Sequence, residues 1–248
     1  VMSGLLGGMN NAVNTVSAVS AASGEILYDK DADKKMYPAS ITKLMTILLA
    51  LENGNLTDEI TFSHDAVYNI EPGSAHIAIL EGETLTLEQV LRAIILRSAN
   101  EASNGVAEYV DGSVEAFAKH MTERAKELGC TNTNFVNANG LFDENHYTTA
   151  HDMALIAREL LKHEEYRSMM SETDYEIPPT NLQTETRYLH GQHQMLNPNS
   201  IYYYKDAIGG KTGYTVEAVC PFLTAPSTPS GISVFMVTAE ASVPFGRV

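Results

Sequence analysis

Cysteine is scarce in this chain: Cys130 and Cys220 allow at most one disulfide in 248 residues, so no disulfide framework carries the fold. Long apolar runs are missing too. The richest, Leu44 to Leu51, falls well short of the ~20 residues that a membrane-spanning helix needs. The stretch from Val1 to Ala22 is rich in small residues but lacks the basic start and continuous apolar middle of a signal peptide, so any export signal is expected to have been removed. Positive charge is in short supply. The 16 Lys and Arg against 31 Asp and Glu leave a net charge of −15, which repels phosphate backbones and anionic membrane surfaces unless cations are gathered locally. Nucleic acid is therefore not an expected partner. What remains is an ordinary globular composition, 44% hydrophobic and 19% charged, long enough to bury a real core.

The hydrophobic pattern changes period along the chain. Ser17 to Tyr28 contains two strand-like runs around Ser23-Gly24, a hairpin signal. From Ile41 to Glu52 apolar residues recur at helical spacing, and Pro38-Ala39-Ser40 just before them marks a helix start. Thr86-Leu87-Glu88-Gln89 is a capping-box pattern opening a helix to about Arg97, which places Ser98-Ala99-Asn100 at its end. Further helices are expected over Ser113 to Leu128, ended by Gly129, and over Thr149 to Lys162 with Thr149 as cap. Beyond Glu176 the pattern is mixed, and the last two strands are expected at about Lys211 to Val219 and Ile232 to Thr238. Strands at both ends enclosing a helical middle give an α+β fold.

Three short motifs carry chemistry. Ser40-Ile41-Thr42-Lys43 sets a hydroxyl and an amine three residues apart at a helix start, on one face. A serine hydroxyl needs a neighbouring base, and a lysine serves when burial and nearby positive charge keep it partly neutral. The helix start also aims the serine N–H at a developing oxyanion. Ser98-Ala99-Asn100 follows at a helix end: Ser98 offers a hydroxyl to relay a proton to a leaving amine, and the Asn100 amide offers a hold on a substrate carbonyl. Lys211-Thr212-Gly213 reads as a strand start where Gly213 lets another backbone come close, with Lys211 and Thr212 able to hold an anionic group. Each motif alone is weak, and the bland reading of the first is an N-cap followed by a solvated lysine. Their order on a helix start, an interhelical turn and a late strand is far more specific than the parts.

Around these motifs stand Pro38 to Thr46, Ser98-Ala99-Asn100-Glu101-Ala102, Phe135 to Leu141, His146 to Asp152 and Gly209 to Thr215. Together they resemble the low-molecular-mass D-alanyl-D-alanine carboxypeptidases, penicillin-binding proteins of the serine type, over roughly Ser17 to Ala239. The resemblance implies the serine β-lactamase and penicillin-binding protein fold: an antiparallel sheet flanked by helices, a helical subdomain at about 60–165, and the site in the cleft between. Residues 1–248 then form a single catalytic domain with strands from about 17–30 and 205–240. By the same resemblance Ser40 attacks the carbonyl between the two terminal D-alanines of a peptidoglycan stem peptide, Lys43 is its base, and Ser98 completes the catalytic group. Asn100, Lys211, Thr212, Gly213 and Tyr214 would bind the substrate, with the Ser40 and Tyr214 N–H groups as oxyanion hole. β-Lactam antibiotics would acylate the same serine. No metal or organic cofactor is implied. The resemblance places the protein outside the cytoplasm, at the outer face of the cytoplasmic membrane or secreted, and meeting a membrane only through segments absent from this sequence.

Departures accompany the likeness. Glu217-Ala218-Val219-Cys220-Pro221-Phe222 follows the third motif where the family usually continues with Ala-Gly and then Cys-Leu, and Pro221 cannot donate to a ladder. The C-terminal helix, β-rich domain and amphipathic anchor common in the family have no counterpart here, and Leu5 to Val13 is expected to pack where part of that helix would lie. Other candidates read blandly. Asp29 to Asp33 has the alternating acids of a calcium loop, but Lys34 and Ser40 occupy the positions that need Gly and Glu, leaving a solvated turn. His190 and His193 lack supporting ligands, His146 and His151 read as parts of a structural loop, Cys130 and Cys220 read as separate thiols, and Tyr202 to Tyr204 read as packing. Among rival functions, a class A-like β-lactamase would carry a Glu-x-x-Leu-Asn run between Asn100 and Lys211, and none occurs. A non-catalytic penicillin-binding wall protein would not need the full set of Ser40, Lys43, Ser98 and Lys211. A D,D-transpeptidase differs only in whether an amine or water takes the acyl group.

Overall fold

The computed structural model describes residues 15–20, 23–201, 203–212, 222–226 and 234–239. Two short strands open it, β1 (Thr15–Ser20) and β2 (Ile26–Lys30), paired antiparallel through a turn where Gly24 sits at φ +75°. A 3-10 turn (Ala39–Thr42) then runs straight into α1 (Lys43–Asn53). Helix α1 is buried from Lys43 through Ala50, as a helix apolar on all sides must be, and it forms the axis of the molecule. Around it lie α3 (Leu87–Arg97), α4 (Asn100–Asp111), α5 (Val114–Glu127) and α6 (Ala150–Leu160), after a short α2 (His64–Tyr68). A small ladder of β3 (Glu59–Thr61) and β4 (Thr84–Thr86) flanks this bundle. After α7 (Glu164–Met169), β5 (Asp174–Ile177) and β6 (Arg187–His190) pair antiparallel.

The main sheet has five antiparallel strands in the order β2-β1-β9-β8-β7, where β7 is Ala207–Thr212, β8 Phe222–Pro226 and β9 Val234–Ala239. Thr15 stands opposite Ala239, so segments from the two ends of the described chain are sheet neighbours. Helix α6 packs on β1 and β9, and β7 comes against the 3-10 turn. The antiparallel sheet flanked by helices agrees with the α+β expectation, as do the hairpin at Gly24 and the capped helices. Thr86 accepts the Gln89 N–H while Gln89 returns to the Thr86 N–H, and Thr149 accepts from Asp152.

Three expectations need correction. Lys211 does not open a strand; β7 begins at Ala207, and Lys211 lies near its end. The Ala-Ile-Gly-Gly start disguises the strand, because the ladder shifts register between Ala207 and Gly210, and Gly209 at φ +148° packs its bare Cα against the Met170 carbonyl. Between the two expected C-terminal strands lies a further one, β8, whose sequence begins just after Pro221 and ends at Pro226. The helix α4 also follows Ala99 directly, although no helix was expected over Asn100 to Asp111. Residues 213–221 and 1–14 are outside the described residues, and with them the expectations for Gly213, Tyr214, Cys220, Pro221 and the Leu5 to Val13 segment.

Candidate active site

The Ser40 and Lys43 side chains meet because of the local backbone. In a 3-10 turn residues three apart eclipse one another, so the turn from Ala39 to Thr42 stacks Lys43 over Ser40. The turn is entered by Ala39 at φ +47°, a left-handed conformation that costs a non-glycine residue about 1–3 kcal/mol. Gly140 (φ +89°) lies directly behind it, where a Cβ would stand 1.9 Å from the Ala39 carbonyl oxygen. The second motif is entered the same way: α3 ends on Ser98 at φ +58°, and Ala99 caps α4 so that Asn100 becomes its first residue.

These elements converge on one amine. Lys43 is 0% exposed, and its Nζ lies 3.1 Å from Ser40 Oγ, 2.7 Å from Asn100 Oδ1 and 2.5 Å from the Asn139 carbonyl. An amide oxygen and a backbone carbonyl can only accept. A neutral amine therefore gives its two hydrogens to Asn100 and Asn139 and turns its lone pair toward the one partner that can donate, the Ser40 hydroxyl. Burial holds the Lys43 ammonium well below the usual lysine range, the positive charge of Lys211 pushes it further down, and Glu101 opposes both. Lys211, 3% exposed, donates to Ser98 Oγ at 3.0 Å, and burial lowers it to about 7. Two ammonium groups this close disfavour being charged together.

The structure thus brings Lys43 together with Ser40 and Asn100, and Lys211 together with Ser98, with Lys211 near enough for its charge to act on Lys43. Thr212 follows Lys211 at the end of β7, and Gly213 and Tyr214 lie outside the described residues. Sequence reasoning missed three contributors. The Asn139 contribution is a backbone carbonyl, invisible in side-chain patterns; its own amide is held by Asn104, and the loop is tied to α1 by Thr46 donating to the Ala138 carbonyl at 2.6 Å. Glu101, 1% exposed, accepts the Ile77 N–H at 2.7 Å. His146 lies in the structural loop expected for it, and there its Nδ1 accepts the Val136 N–H at 3.1 Å, which leaves the hydrogen on Nε2 to donate to Thr42 at 2.7 Å, inside the Ser40–Lys43 turn. The other histidine expectations agree with surface placements: His151 pairs with Asp33 and His190 with Asp174. Cys130 is buried and unbridged. Among the described residues no group of His, Cys, Asp and Glu could hold a metal ion, and no helix is long and apolar enough to cross a membrane.

The sequence profile of the D-alanyl-D-alanine carboxypeptidases (peptidase S11) matches residues 10–242. The chain belongs to this family. Among its D-alanyl-D-alanine carboxypeptidase relatives, DacF of Bacillus subtilis strain 168 is 37% identical over 231 residues, covering 90% of this chain and 56% of its own length. The carboxypeptidase of Streptomyces sp. strain K15 is 29% identical over 239 residues, 92% of this chain and 80% of that protein. The fold is that of the same family's solved structures. The Streptomyces K15 DD-transpeptidase superposes with a TM-score of 0.85 at 24% identity, over 94% of this chain and 91% of that one. The D-alanyl-D-alanine carboxypeptidase of Mycobacterium tuberculosis H37Rv gives 0.84 at 24%, over 94% and 84%. The chain spans about half the length of the curated relatives it matches first.

Proposed function

We propose that this member of the D-alanyl-D-alanine carboxypeptidase family is a serine D,D-peptidase that removes the terminal D-alanine from peptidoglycan stem peptides. The observation that carries the reading is the Lys43 amine, 3.1 Å from Ser40 Oγ with its other two neighbours able only to accept. Ser40 Oγ attacks the carbonyl carbon between the two D-alanines while its proton passes to Lys43 Nζ. The oxyanion that forms is met by the Ser40 N–H, and by family resemblance also by the Tyr214 N–H. When the C–N bond breaks, the proton that Lys43 took from Ser40 passes through the Ser98 hydroxyl to the leaving nitrogen, which leaves Lys43 neutral, and D-alanine departs. A water then gives a proton to Lys43 as its oxygen attacks the acyl carbon, and when the ester C–O bond breaks Lys43 returns that proton to Ser40 Oγ and the shortened peptide leaves with a new carboxylate.

Protonated Lys211, with Thr212, holds the carboxylate of the terminal D-alanine, and the free Asn100 amide N–H₂ holds a substrate carbonyl. In a protein of net charge −15 this local positive potential is what admits an anionic peptide end. β-Lactams, with a strained amide and a carboxylate at similar spacing, acylate Ser40 and stay. The proposed place of action is the cell envelope, outside the cytoplasmic membrane, where such peptides are exposed.

A second reading is kept open by the Streptomyces K15 relatives, described in one case as a carboxypeptidase and in another as a DD-transpeptidase. The chemistry to the acyl-enzyme is common to both. The test is incubation with a peptide ending in D-Ala-D-Ala, with and without an acceptor amine, and separately with penicillin. D-Alanine release without acceptor and a stable penicillin adduct, both abolished in Ser40→Ala, are expected. Undiminished release in Ser40→Ala would sink the mechanism; rapid penicillin turnover without peptide cleavage would select a β-lactamase instead.

A further inference from the structure

Glu101 has no part in the mechanism above, yet it is a buried carboxylate whose charge acts on the buried Lys43 amine. It is the second residue of α4, next to Asn100, whose amide oxygen holds Lys43. One of its oxygens, Oε1, accepts the N–H of Ile77 on the wall loop 69–82. The other, Oε2, is buried and has no hydrogen-bond partner among the described residues. A buried carboxylate oxygen left without a donor is costly unless a positive charge lies close enough to offset it.

We propose that Glu101 is a positioning residue that acts through Lys43: one carboxylate oxygen clamps the wall loop, and the charge on the other acts on the buried Lys43 amine. The inference rests on Lys43 being the base. The charged and titratable groups around it point the same way. Helix α1 contributes Lys43, β7 contributes Lys211, and the loop before α6 contributes His146, which burial keeps neutral. The wall loop offers Glu101 only a backbone N–H, its own Glu71 and His76 being exposed, and Arg97 of α3 is turned to the His190 carbonyl. Glu101 is also the group that opposes the loss of the Lys43 proton. The first step starts with Lys211 charged for the substrate carboxylate and Lys43 free to take the Ser40 proton.

The clamp and the charge can be separated. Glu101→Gln keeps an acceptor for Ile77 and removes the charge; Glu101→Asp keeps the charge on a shorter side chain that cannot reach Ile77. The measurement is the pH dependence of the acylation rate of Ser40 by a fluorescent penicillin, with thermal unfolding of each variant as a check of folding. Without the negative charge Lys43 gives up its proton at lower pH, so the acid limb of the Glu101→Gln profile is expected to move down by about one pH unit. Its plateau should remain within a few-fold of the parent protein. The alkaline limb, set by Lys211, whose lowering comes from burial alone, is expected to stay. Glu101→Asp should leave both limbs in place and lower the plateau. An unmoved acid limb in Glu101→Gln overturns the proposal, and so does a Glu101→Asp limb displaced downward, which carries the test if the Gln variant does not fold. No Ser40 adduct in the parent protein at any pH would instead overturn the acyl-transfer reading itself, and this inference with it.

Discussion

The cleft has two buried lysines in unlike settings. Lys43 comes from the helical side, its amine surrounded by Ser40, Asn100 and the Asn139 carbonyl, each fixed by a separate element. Lys211 comes from the sheet side, on the outermost strand β7, and reaches the helices through Ser98. Burial lowers both, and the positive charge of Lys211 lowers Lys43 further, against the pull of Glu101. In the proposed mechanism one residue type thus serves as a base on one wall and as a cation on the other, and the difference lies in the partners that surround each amine rather than in the depth of burial.

The sharpest way to break this division is Lys43→Met, which removes the one amine within hydrogen-bond reach of Ser40 Oγ among the described residues. Labelling of Ser40 by fluorescent penicillin should slow by roughly a thousandfold, whereas loss of the substrate hold alone would leave that rate far less affected at saturating ligand. Next in size is Gly140→Ala. A Cβ there meets the Ala39 carbonyl at 1.9 Å with φ at +89°, so the loop that carries the Asn139 carbonyl must move. A stability loss of at least ~2 kcal/mol in chemical denaturation, with slower acylation, is expected. An unchanged midpoint would show that the helical wall tolerates a shift of its support.

The sheet side is tested by pH. Lys211 is protonated below about 7 and loses its charge above that value in the empty cleft, so peptide binding should weaken as pH rises through 7. KM for a D-Ala-D-Ala peptide is expected to rise by up to roughly tenfold per pH unit beyond it, with kcat changing less; Lys211→Gln should flatten that rise. The smallest effect concerns His146. Its ordinary 6.5 is depressed to about 4 by burial, so the unfolded chain takes up the proton first. The stability that neutral His146 supplies is full above 6.5 and is lost as pH falls toward 4. His146→Leu should cost about 1–3 kcal/mol by stranding the Val136 N–H, while His146→Gln, which offers both a donor and an acceptor, should recover most of it.

Legibility in the sequence followed the kind of signal each part leaves. Capped amphipathic helices such as Leu87–Arg97 announce themselves by period and by the Thr86 to Gln89 pair. Helix α4 does not, because beside Ala102, Val106 and Ala107 it buries Asn100, Glu101, Ser103, Asn104 and Gly105, polar or small residues packed for hydrogen bonds and for the Phe62 ring. In β7 the two glycines that permit the bulge mimic a turn, and in β8 the prolines at the borders mimic a loop. Ser40, Lys43, Ser98, Asn100 and Lys211 could be picked out because chemistry constrains their types. Asn139 and Gly140 could not, since one acts by its backbone and the other by having no side chain.

The pairing of Thr15 with Ala239 also has a consequence in time. The helices form from neighbours in sequence, but the sheet is assembled through contacts of very long sequence separation, which are slow to find. Ser40 and Lys43 are set by one local turn, whereas Lys211 is anchored only when β7 has joined β8 and β9. In the proposed mechanism the nucleophile and its base are therefore placed before the cation, and the hold on the substrate is complete only when the last strands of the sheet have joined the first.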